Sequence, residues 1–393
     1  MTTHLPGLFC LLLAYVLSQF YRAFLAVLAP ALDRDLGLGA DTLSLASGLW
    51  FLAFAAMQIP VGAALDRIGP RRTAAALFLV GASGAGAFAA AQTAWHVHGA
   101  MMLIGVGCSP VLMASYFIFA RSFRPALFAT LAGVTLGIGT LGNLASSLPL
   151  TLVLAELGWR TTMAGLAAIT AAVALGIAVL VRDPPQAKGP GGSVLTLLRM
   201  PAIWPILAIM TVNYVPAAAI RGFWIAPYLT DSFAIADRQV GTITLIMALA
   251  MIAGNFLYGP ADRVFSSRKS IVLTGNLAGV AALCALIAFG GTGPSMAAAL
   301  FALVGVTGAT FVVIIAHARA FFPDHLTGRG VTLLNLFGIG GAGSFQALSG
   351  RVFTWAEPWG TAAAYQVLFG FFAGALALGC LAYAFSRDAR ADG

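Results

Sequence analysis

Twelve apolar stretches, each longer than 20 residues, follow one another along this chain and leave little sequence between them. A helix of that length crosses a hydrocarbon core of about 30 Å, because each residue adds about 1.5 Å. Composition agrees, since 60% of the 393 residues are hydrophobic and only 9% are charged. The sequence therefore predicts an all-α membrane protein whose twelve transmembrane helices cover residues 7–32, 43–63, 73–93, 99–120, 127–150, 161–181, 203–226, 239–260, 270–290, 296–316, 329–350 and 361–385.

The distribution of basic residues predicts the orientation of these spans. Cytoplasmic loops of membrane proteins carry an excess of Lys and Arg. One set of alternate loops holds Arg67, Arg71, Arg72, Arg121, Arg124, Arg182, Lys188, Arg199, Arg263, Arg268, Lys269, Arg319, Arg329, Arg387 and Arg390, and the other set holds only Arg34, Arg160, Arg238 and Arg351. We therefore expect both termini in the cytoplasm, and we expect the first span to be a retained helix rather than a signal peptide.

An internal repeat divides the chain at about half its length. Three motifs recur in order at an offset of about 197: LAPAL as IAPYL, LDR as ADR, and ARSFRP as ARAFFP; a fourth, GVTL, recurs unchanged at 133–136 and 330–333. Such a repeat indicates two six-helix halves related by pseudo-two-fold symmetry, with a substrate cavity between them. The predicted domains are residues 1–181 and 201–393, joined by a cytoplasmic linker of residues 182–200 that is rich in proline and glycine.

A charged motif lies between spans 2 and 3. The stretch GAALDRIGPRR has glycines, an aspartate and basic residues at a fixed spacing, namely Gly62, Asp66, Arg67, Gly69, Arg71 and Arg72. This spacing resembles the signature of the major facilitator superfamily, G-x-x-x-D-R/K-x-G-x-R/K-R/K. A degraded second copy retains Asp262 and Arg263, followed by Arg268 and Lys269. The resemblance extends over the whole chain and implies a transporter that works by alternating access.

The same resemblance implies a role for these charges as a gate. In the family, the aspartate at the position of Asp66 holds the cytoplasmic side shut, with Arg71 or Arg72 as partners here. A carboxylate at this place can accept hydrogen bonds from arginines or from the free N–H groups of a helix N-terminus. The alternative is that the arginines have no gating role and only reflect the excess of positive charge that cytoplasmic loops carry.

Two arginines, Arg22 and Arg221, lie inside predicted spans 1 and 7, at similar places in the two repeats. Burying an arginine costs at least about 2.5 kcal/mol, so each should face a wet cavity or a partner. With no Asp or Glu inside the predicted spans, two facing guanidiniums predict a site for an anion. This arrangement resembles the organic-anion carriers of the family. The alternative is that each side chain reaches the extracellular headgroups.

Further residues are expected to line the substrate site because they share helix faces with the arginines or bring polar groups into neighbouring spans. They are Ser18, Gln58, Tyr116, Asn143, Tyr214, Trp224 and Asn255. The substrate is expected to be a small organic solute, and no cofactor or resident metal is expected, since the four cysteines are scattered among four spans.

Other functions compete with anion uptake. A copper importer is one, because Met247 and Met251 have the i, i+4 spacing of paired thioether ligands on span 8. Riboflavin import is another, since Trp50, Trp224, Gln58 and Asn143 offer stacking and amide groups. Drug export, a non-transporting membrane protein and an enzyme are weaker alternatives, as no catalytic motif is found. We expect import through a bacterial inner membrane by a monomer in the bilayer, without a nucleic-acid partner.

Overall fold

The computed structural model describes residues 5–123, 125–184, 194–258, 267–322 and 327–388. The chain forms two compact units, Met1–Gly189 and Pro190–Gly393. Within the first unit the helices are α1 (Leu5–Tyr21, then Leu25–Leu36), α2 (Ala40–Ala56, then Gln58–Arg67), α3 (Pro70–Ala89), α4 (Ala94–Cys108, then Val111–Ser122), α5 (Pro125–Ala145) and a helical segment Leu148–Leu180.

The segment Leu148–Leu180 belongs to two membrane spans rather than one. Gly158 within it has φ 72° and ψ 163°, a backbone conformation that interrupts the helix and that glycine adopts without strain. The residues before Gly158 therefore continue α5 after a short break, and the residues after it form α6. Because of this interruption the first unit contains six spans.

The second unit has the same number of helices. They are α7 (Trp204–Asn213, Val215–Ala219, a π-helical turn Ile220–Trp224, and Ile225–Phe233), α8 (Asp237–Tyr258), α9 (Arg268–Phe289), α10 (Pro294–Gly308, then Phe311–Arg319), α11 (Thr327–Ala356) and α12 (Thr361–Ala384). A short helix, Val194–Leu198, precedes α7.

The described helices confirm the membrane prediction. Ten are long and apolar enough to cross a bilayer, and the bent α1 is an eleventh. The twelfth span is α5, whose apolar stretch Val134–Ala145 is separated from α6 by the turn at Gly158. The protein is thus an all-α membrane protein of twelve spans in two six-helix halves.

Among the predicted spans that end too early are the first and the seventh. The first and seventh spans were expected to end at residues 32 and 226, but α1 runs to Leu36 and α7 to Phe233. The reason is that each helix ends at a residue in the left-handed conformation, Gly37 (φ 64°) and Ala234 (φ 50°), several residues after its apolar stretch has ended. Helix capping, not the end of hydrophobicity, sets these boundaries.

Packing inside each unit follows the repeat. In the first unit α3 packs against α4 and α6, and α1 packs against α5; in the second, α9 packs against α10 and α12, and α7 against α11. A Cβ on Gly142 of α5 would collide with the Val16 carbonyl of α1, and one on Gly341 of α11 with the Thr211 carbonyl of α7. Glycine is required at both places because the two backbones touch.

Candidate functional site

Arg22 lies at a break in α1. Residues 22–24 form a turn between the two parts of the helix, whose axes differ by 52°. Neither Gly nor Pro occurs there; the break brings Arg22 to the start of the second part, Leu25–Leu36. A helix N-terminus carries a partial positive charge, so the guanidinium and the helix end have the same sign. Both favour an anion over a cation.

The guanidinium of Arg22 faces aromatic rings of α2 rather than lipid. Its Cζ atom lies 5.6 Å from the ring centroid of Trp50 and 5.8 Å from that of Phe54. Trp50 is 1% exposed. Within the described part of the chain, the buried Nε of Arg22 and the buried indole Nε1 of Trp50 have no hydrogen-bond acceptor. Buried donors of this kind are rare, and a bound acceptor would satisfy both.

Two buried glutamines add acceptors to the first unit. Gln58, one turn after Phe54 on α2, donates to the Phe54 carbonyl at 3.2 Å, and Gln19 of α1 donates to the Tyr15 hydroxyl at 2.5 Å. The Oε1 atom of each glutamine is buried without a donor among the described residues. The polar side chains of α1 and α2 therefore leave two N–H donors and two amide oxygens without partners among the described residues.

The other predicted binding residues of the first unit lie on α1, α4 and α5. Ser18 is buried on α1. Tyr116 lies on α4 with its ring near Phe119, and Asn143 lies on α5, half-buried. Their part in binding stays a prediction.

Arg221 lies in an irregular turn of α7, as Arg22 does in α1. It belongs to the π-helical turn Ile220–Trp224 and is 3% exposed. Such turns are rare and are often found at functional sites. Burial of Arg221 does not agree with a side chain that extends to the headgroups at the membrane surface. Each half thus has its intramembrane arginine at an interruption of its first helix.

Trp224 has a packing role within the second unit. Its indole N–H donates to the Ser349 hydroxyl at 2.8 Å, and its ring, which is fully buried, contacts Phe353 and Tyr365. The expectation that Trp224 stacks on a substrate finds no support in this geometry, because both the donor and the ring face are occupied. A better candidate for substrate binding in the second unit is Gln346 of α11. Its amide is fully buried, and neither its oxygen nor its nitrogen has a partner among the described residues.

The remaining predicted residues of the second unit are Tyr214, Asn255, Met247 and Met251. Tyr214 follows the first part of α7 and packs edge-on against Phe311, and Asn255 has a buried Oδ1 without a donor in the described region. The Met247 and Met251 side chains lie against Gly305 of α10, 3.4 and 3.0 Å from where a Cβ would be. This contact gives both methionines a role in packing α8 on α10.

The charged loop between α2 and α3 is organised around an aspartate that the sequence analysis did not select. Asp183, which follows α6, accepts a hydrogen bond from the backbone N–H of Arg71 at 2.7 Å. Its carboxylate lies about 3.0 Å from where a Cβ on Gly69 would be, and Gly69 has φ 95°. Asp183 thus caps the N-terminus of α3, and glycine is required beside it.

The expected gate itself is only partly described. Arg67 and Arg72 are exposed and Arg71 is half-buried, and Gly62 lies in the last part of α2. The side chain of Asp66 and the whole of Asp262 and Arg263 lie outside the described residues. Among the described residues Asp183 caps α3, and the gating role of Asp66 stays a prediction.

The second half repeats this cap. Asp388, which follows α12, accepts hydrogen bonds from the Ser267 hydroxyl at 2.6 Å and from the backbone N–H of Lys269 at 3.3 Å, at the start of α9. The Lys269 ammonium in turn donates to the Ala384 and Ser386 carbonyls at the end of α12. In both halves an acid after the sixth helix therefore fixes the start of the third.

Solved structures of several membrane transporters have the same fold as this chain. Among solved structures of the same fold are a bacterial homologue of the human lysosomal transporter Spinster (TM-score 0.75, 16% identity, covering 97% of this chain and 95% of that one) and a D-xylose–proton symporter (0.75, 14%, 95% and 97%). A mutant form of the nucleoside transporter NupG is another (0.78, 13%, 96% and 99%). At these identities the similarity shows the fold.

Sequence comparison identifies relatives as well. The Hexuronate transporter of Bacillus subtilis (strain 168) is 24% identical over 294 residues, which is 69% of each protein. The Major Facilitator Superfamily profile matches residues 11–223 and again residues 206–393. Together these matches cover nearly the whole chain, once for each half. The protein is a member of the Major Facilitator Superfamily, a family of membrane transporters of small solutes.

Proposed function

We propose that this protein imports a small organic anion by alternating access and that Arg22 binds the anionic group. The observation that carries the proposal is the pair of buried donors, Arg22 Nε and Trp50 Nε1, without acceptors among the described residues. A carboxylate or phosphate oxygen accepts from both kinds of N–H, and a guanidinium binds such groups more strongly than a neutral donor does.

The substrate class is narrowed by the two glutamines. Gln19 and Gln58 leave amide oxygens that accept hydrogen bonds, and hydroxyl groups would supply the donors. An anion that also carries hydroxyl groups, such as a sugar acid, matches this combination. The Bacillus relative, named a hexuronate transporter, supports the same class, because a hexuronate is a sugar carboxylate. Arg221 is proposed to have a corresponding role in the second unit.

The alternatives are less well supported. Copper import would use Met247 and Met251, but both side chains pack against α10. Riboflavin import would use the ring of Trp224, which is enclosed in the core of its own unit. We further propose that the protein is a non-enzymatic monomer of the bacterial inner membrane with both termini in the cytoplasm, as the distribution of Lys and Arg indicates.

Binding to the detergent-purified protein tests the proposal. Thermal unfolding would be followed with glucuronate, galacturonate, a phosphate ester, nitrate, neutral glucose, riboflavin and Cu(I). A ligand present at about 100 times its Kd stabilises the folded state by about 2.7 kcal/mol. We expect a uronate to raise the Tm of the wild type, whereas Arg22→Ala should remove that rise. Arg34→Ala, at the exposed end of the same helix, serves as the control.

The outcomes separate the candidate substrates. If glucose raises the Tm as much as a uronate does, the charge of the substrate is irrelevant and the anion proposal is wrong. If riboflavin or Cu(I) stabilises the wild type and Arg22→Ala equally, the arginine is structural. Uptake of the stabilising ligand into proteoliposomes then tests transport itself, with unchanged uptake by Arg22→Ala as the contrary result.

A further inference from the structure

The second unit contains a buried cluster of neutral polar side chains on three helices. Asn213 ends the first part of α7, Asn276 lies on α9, and Thr310 lies between the two parts of α10. The Asn213 amide nitrogen donates to the Asn276 oxygen at 2.7 Å and to the Thr310 hydroxyl at 2.5 Å. All three residues are at most 2% exposed. The cluster therefore depends on its own hydrogen bonds.

Those hydrogen bonds fix the orientation of the Asn213 amide. The Asn276 amide nitrogen donates to the Val272 carbonyl at 2.8 Å, and a carbonyl can only accept. The Asn276 oxygen must therefore face Asn213, which has to present its nitrogen. The Asn213 Oδ1 atom then points away from the cluster, and it is buried without a donor among the described residues.

A small cavity lies beside the cluster. Its volume is about 10 Å³, enough for one water-sized sphere, and its lining includes Asn213, Pro216, Asn276, Gly279, Thr307 and Gly308. The Thr307 hydroxyl proton is already donated to the Val304 carbonyl at 3.0 Å, so this oxygen too can only accept. The polar side chains that line the cavity thus offer acceptors, and their donors are used elsewhere.

Two helix C-termini end at the same cavity. The first part of α7 ends at Asn213 and the first part of α10 at Gly308, and both residues line it. The C-terminal end of a helix carries partial negative charge on its unpaired carbonyls. The cavity thus lies at breaks in two helices, where the regular hydrogen-bonding pattern of the backbone is interrupted.

We propose that this cavity binds one monovalent cation of the size of Na⁺. Hard oxygen ligands suit such an ion, and interrupted helices of transporters can supply them from side chains and carbonyl ends. The lining carries no carboxylate among its described residues, so a divalent ion would remain under-neutralised. Asn213 Oδ1 and Thr307 Oγ1 are the side-chain ligands, and Asn276 Oδ1 has a second lone pair available.

The polar side chains Asn213, Asn276, Thr307 and Thr310 bond to one another or to carbonyls of their own helices. Of their side-chain atoms, Asn213 Oδ1 is the one that is buried without a partner among the described residues. The ion site goes beyond the proposed anion site in the first unit and can be tested without any substrate.

Thermal unfolding of the purified protein in NaCl, KCl and choline chloride at equal ionic strength tests the site. We expect NaCl to raise the Tm of the wild type in a saturable way by at least about 3 °C over choline chloride. Gly279→Ala should abolish the rise, because a Cβ there would lie 3.1 Å from Thr307 Oγ1 and fill the cavity while keeping every polar atom. Asn213→Leu and Thr307→Val should abolish it by removing a ligand.

Matched controls separate ion binding from general effects. Gly374→Ala adds a Cβ in open space on α12, and Thr244→Val removes a buried hydroxyl that likewise bonds its own helix; both should retain the Na⁺ response. An equal rise in every salt, or an undiminished Na⁺ response in Gly279→Ala and Thr307→Val, would overturn the proposal and leave the cavity to a water molecule. Because no substrate is present, failure here leaves the anion proposal standing.

Discussion

The indole of Trp50 offers a test that separates substrate binding from packing around Arg22. Trp50→Phe keeps an aromatic ring near the guanidinium but removes the buried N–H that has no acceptor among the described residues. If that N–H donates to the anion, the variant should bind the uronate about tenfold more weakly, the loss expected for a hydrogen bond to a charged group. Isothermal titration calorimetry of the purified variant measures this.

Trp95→Phe is the control for Trp50→Phe, since Trp95 is 82% exposed. Its Kd should match that of the wild type. Equal Kd values for Trp50→Phe and Trp95→Phe would mean that the Trp50 N–H does not reach the substrate, and Arg22 would then be the remaining candidate donor.

At the scale of residues, charge was easier to predict from the sequence than hydrogen-bonding capacity. Arg22 and Arg221 are conspicuous because a charge inside an apolar span is costly, and both are found at helix interruptions. Gln19 and Gln346 are not conspicuous in the sequence, and Trp50 was named there for stacking rather than as a hydrogen-bond donor. What distinguishes them is a buried atom without a partner in the described part of the chain, which only the packed structure reveals.

At the scale of elements, the caps on α3 and α9 are predicted to stabilise each half separately. Asp183→Asn retains an acceptor for the Arg71 N–H but loses the negative charge beside a helix N-terminus. We expect the Tm to fall by about 2–4 °C, with a smaller fall in high salt because charge–dipole interactions are screened. Thermal unfolding at two ionic strengths provides the measurement.

The same substitution in the other half serves as a replicate. Asp388→Asn should behave like Asp183→Asn, since Asp388 bonds the start of α9 in the corresponding way. The exposed Asp33 lies in the last turn of α1, where a negative charge is unfavourable, so Asp33→Asn should not lower the Tm. A fall that is the same at both ionic strengths would contradict the electrostatic explanation.

Hydrophobicity in the sequence predicted the helices themselves, but it did not predict the breaks within them. Twelve spans were predicted from apolar length, and twelve are found once the turn at Gly158 is recognised. The break in α1 has a different origin, because residues 22–24 contain neither Gly nor Pro, whereas in α7 Pro216 follows the break at Tyr214. Contacts with neighbouring helices override local preference in α1, and such contacts cannot be read from one helix.

At the scale of the whole molecule, the repeat predicts more than the number of helices. It placed an arginine in the first helix of each half, and the structure adds a second symmetric pair, the acids after α6 and α12. The halves differ where the repeat has diverged: the donors Arg22 and Trp50 are in the first unit, and the acceptor-lined cavity is in the second. Such divergence allows a symmetric framework to bind different ligands in its two halves.

The loop between α2 and α3 is where a change should affect transport without affecting binding. Asp66→Asn keeps the size of the side chain but removes the charge of the family motif, which lies in the last turn of α2, remote in sequence from Arg22 and Trp50. If this charge stabilises one of two conformations, its loss changes their populations and the rate of interconversion. We expect the Kd for the anion to stay within about twofold while uptake into proteoliposomes slows about tenfold, equivalent to about 1.4 kcal/mol in the barrier. Asp41→Asn, exposed at the other end of α2, should change neither quantity, and normal uptake by Asp66→Asn would show that the motif serves orientation in the membrane rather than gating.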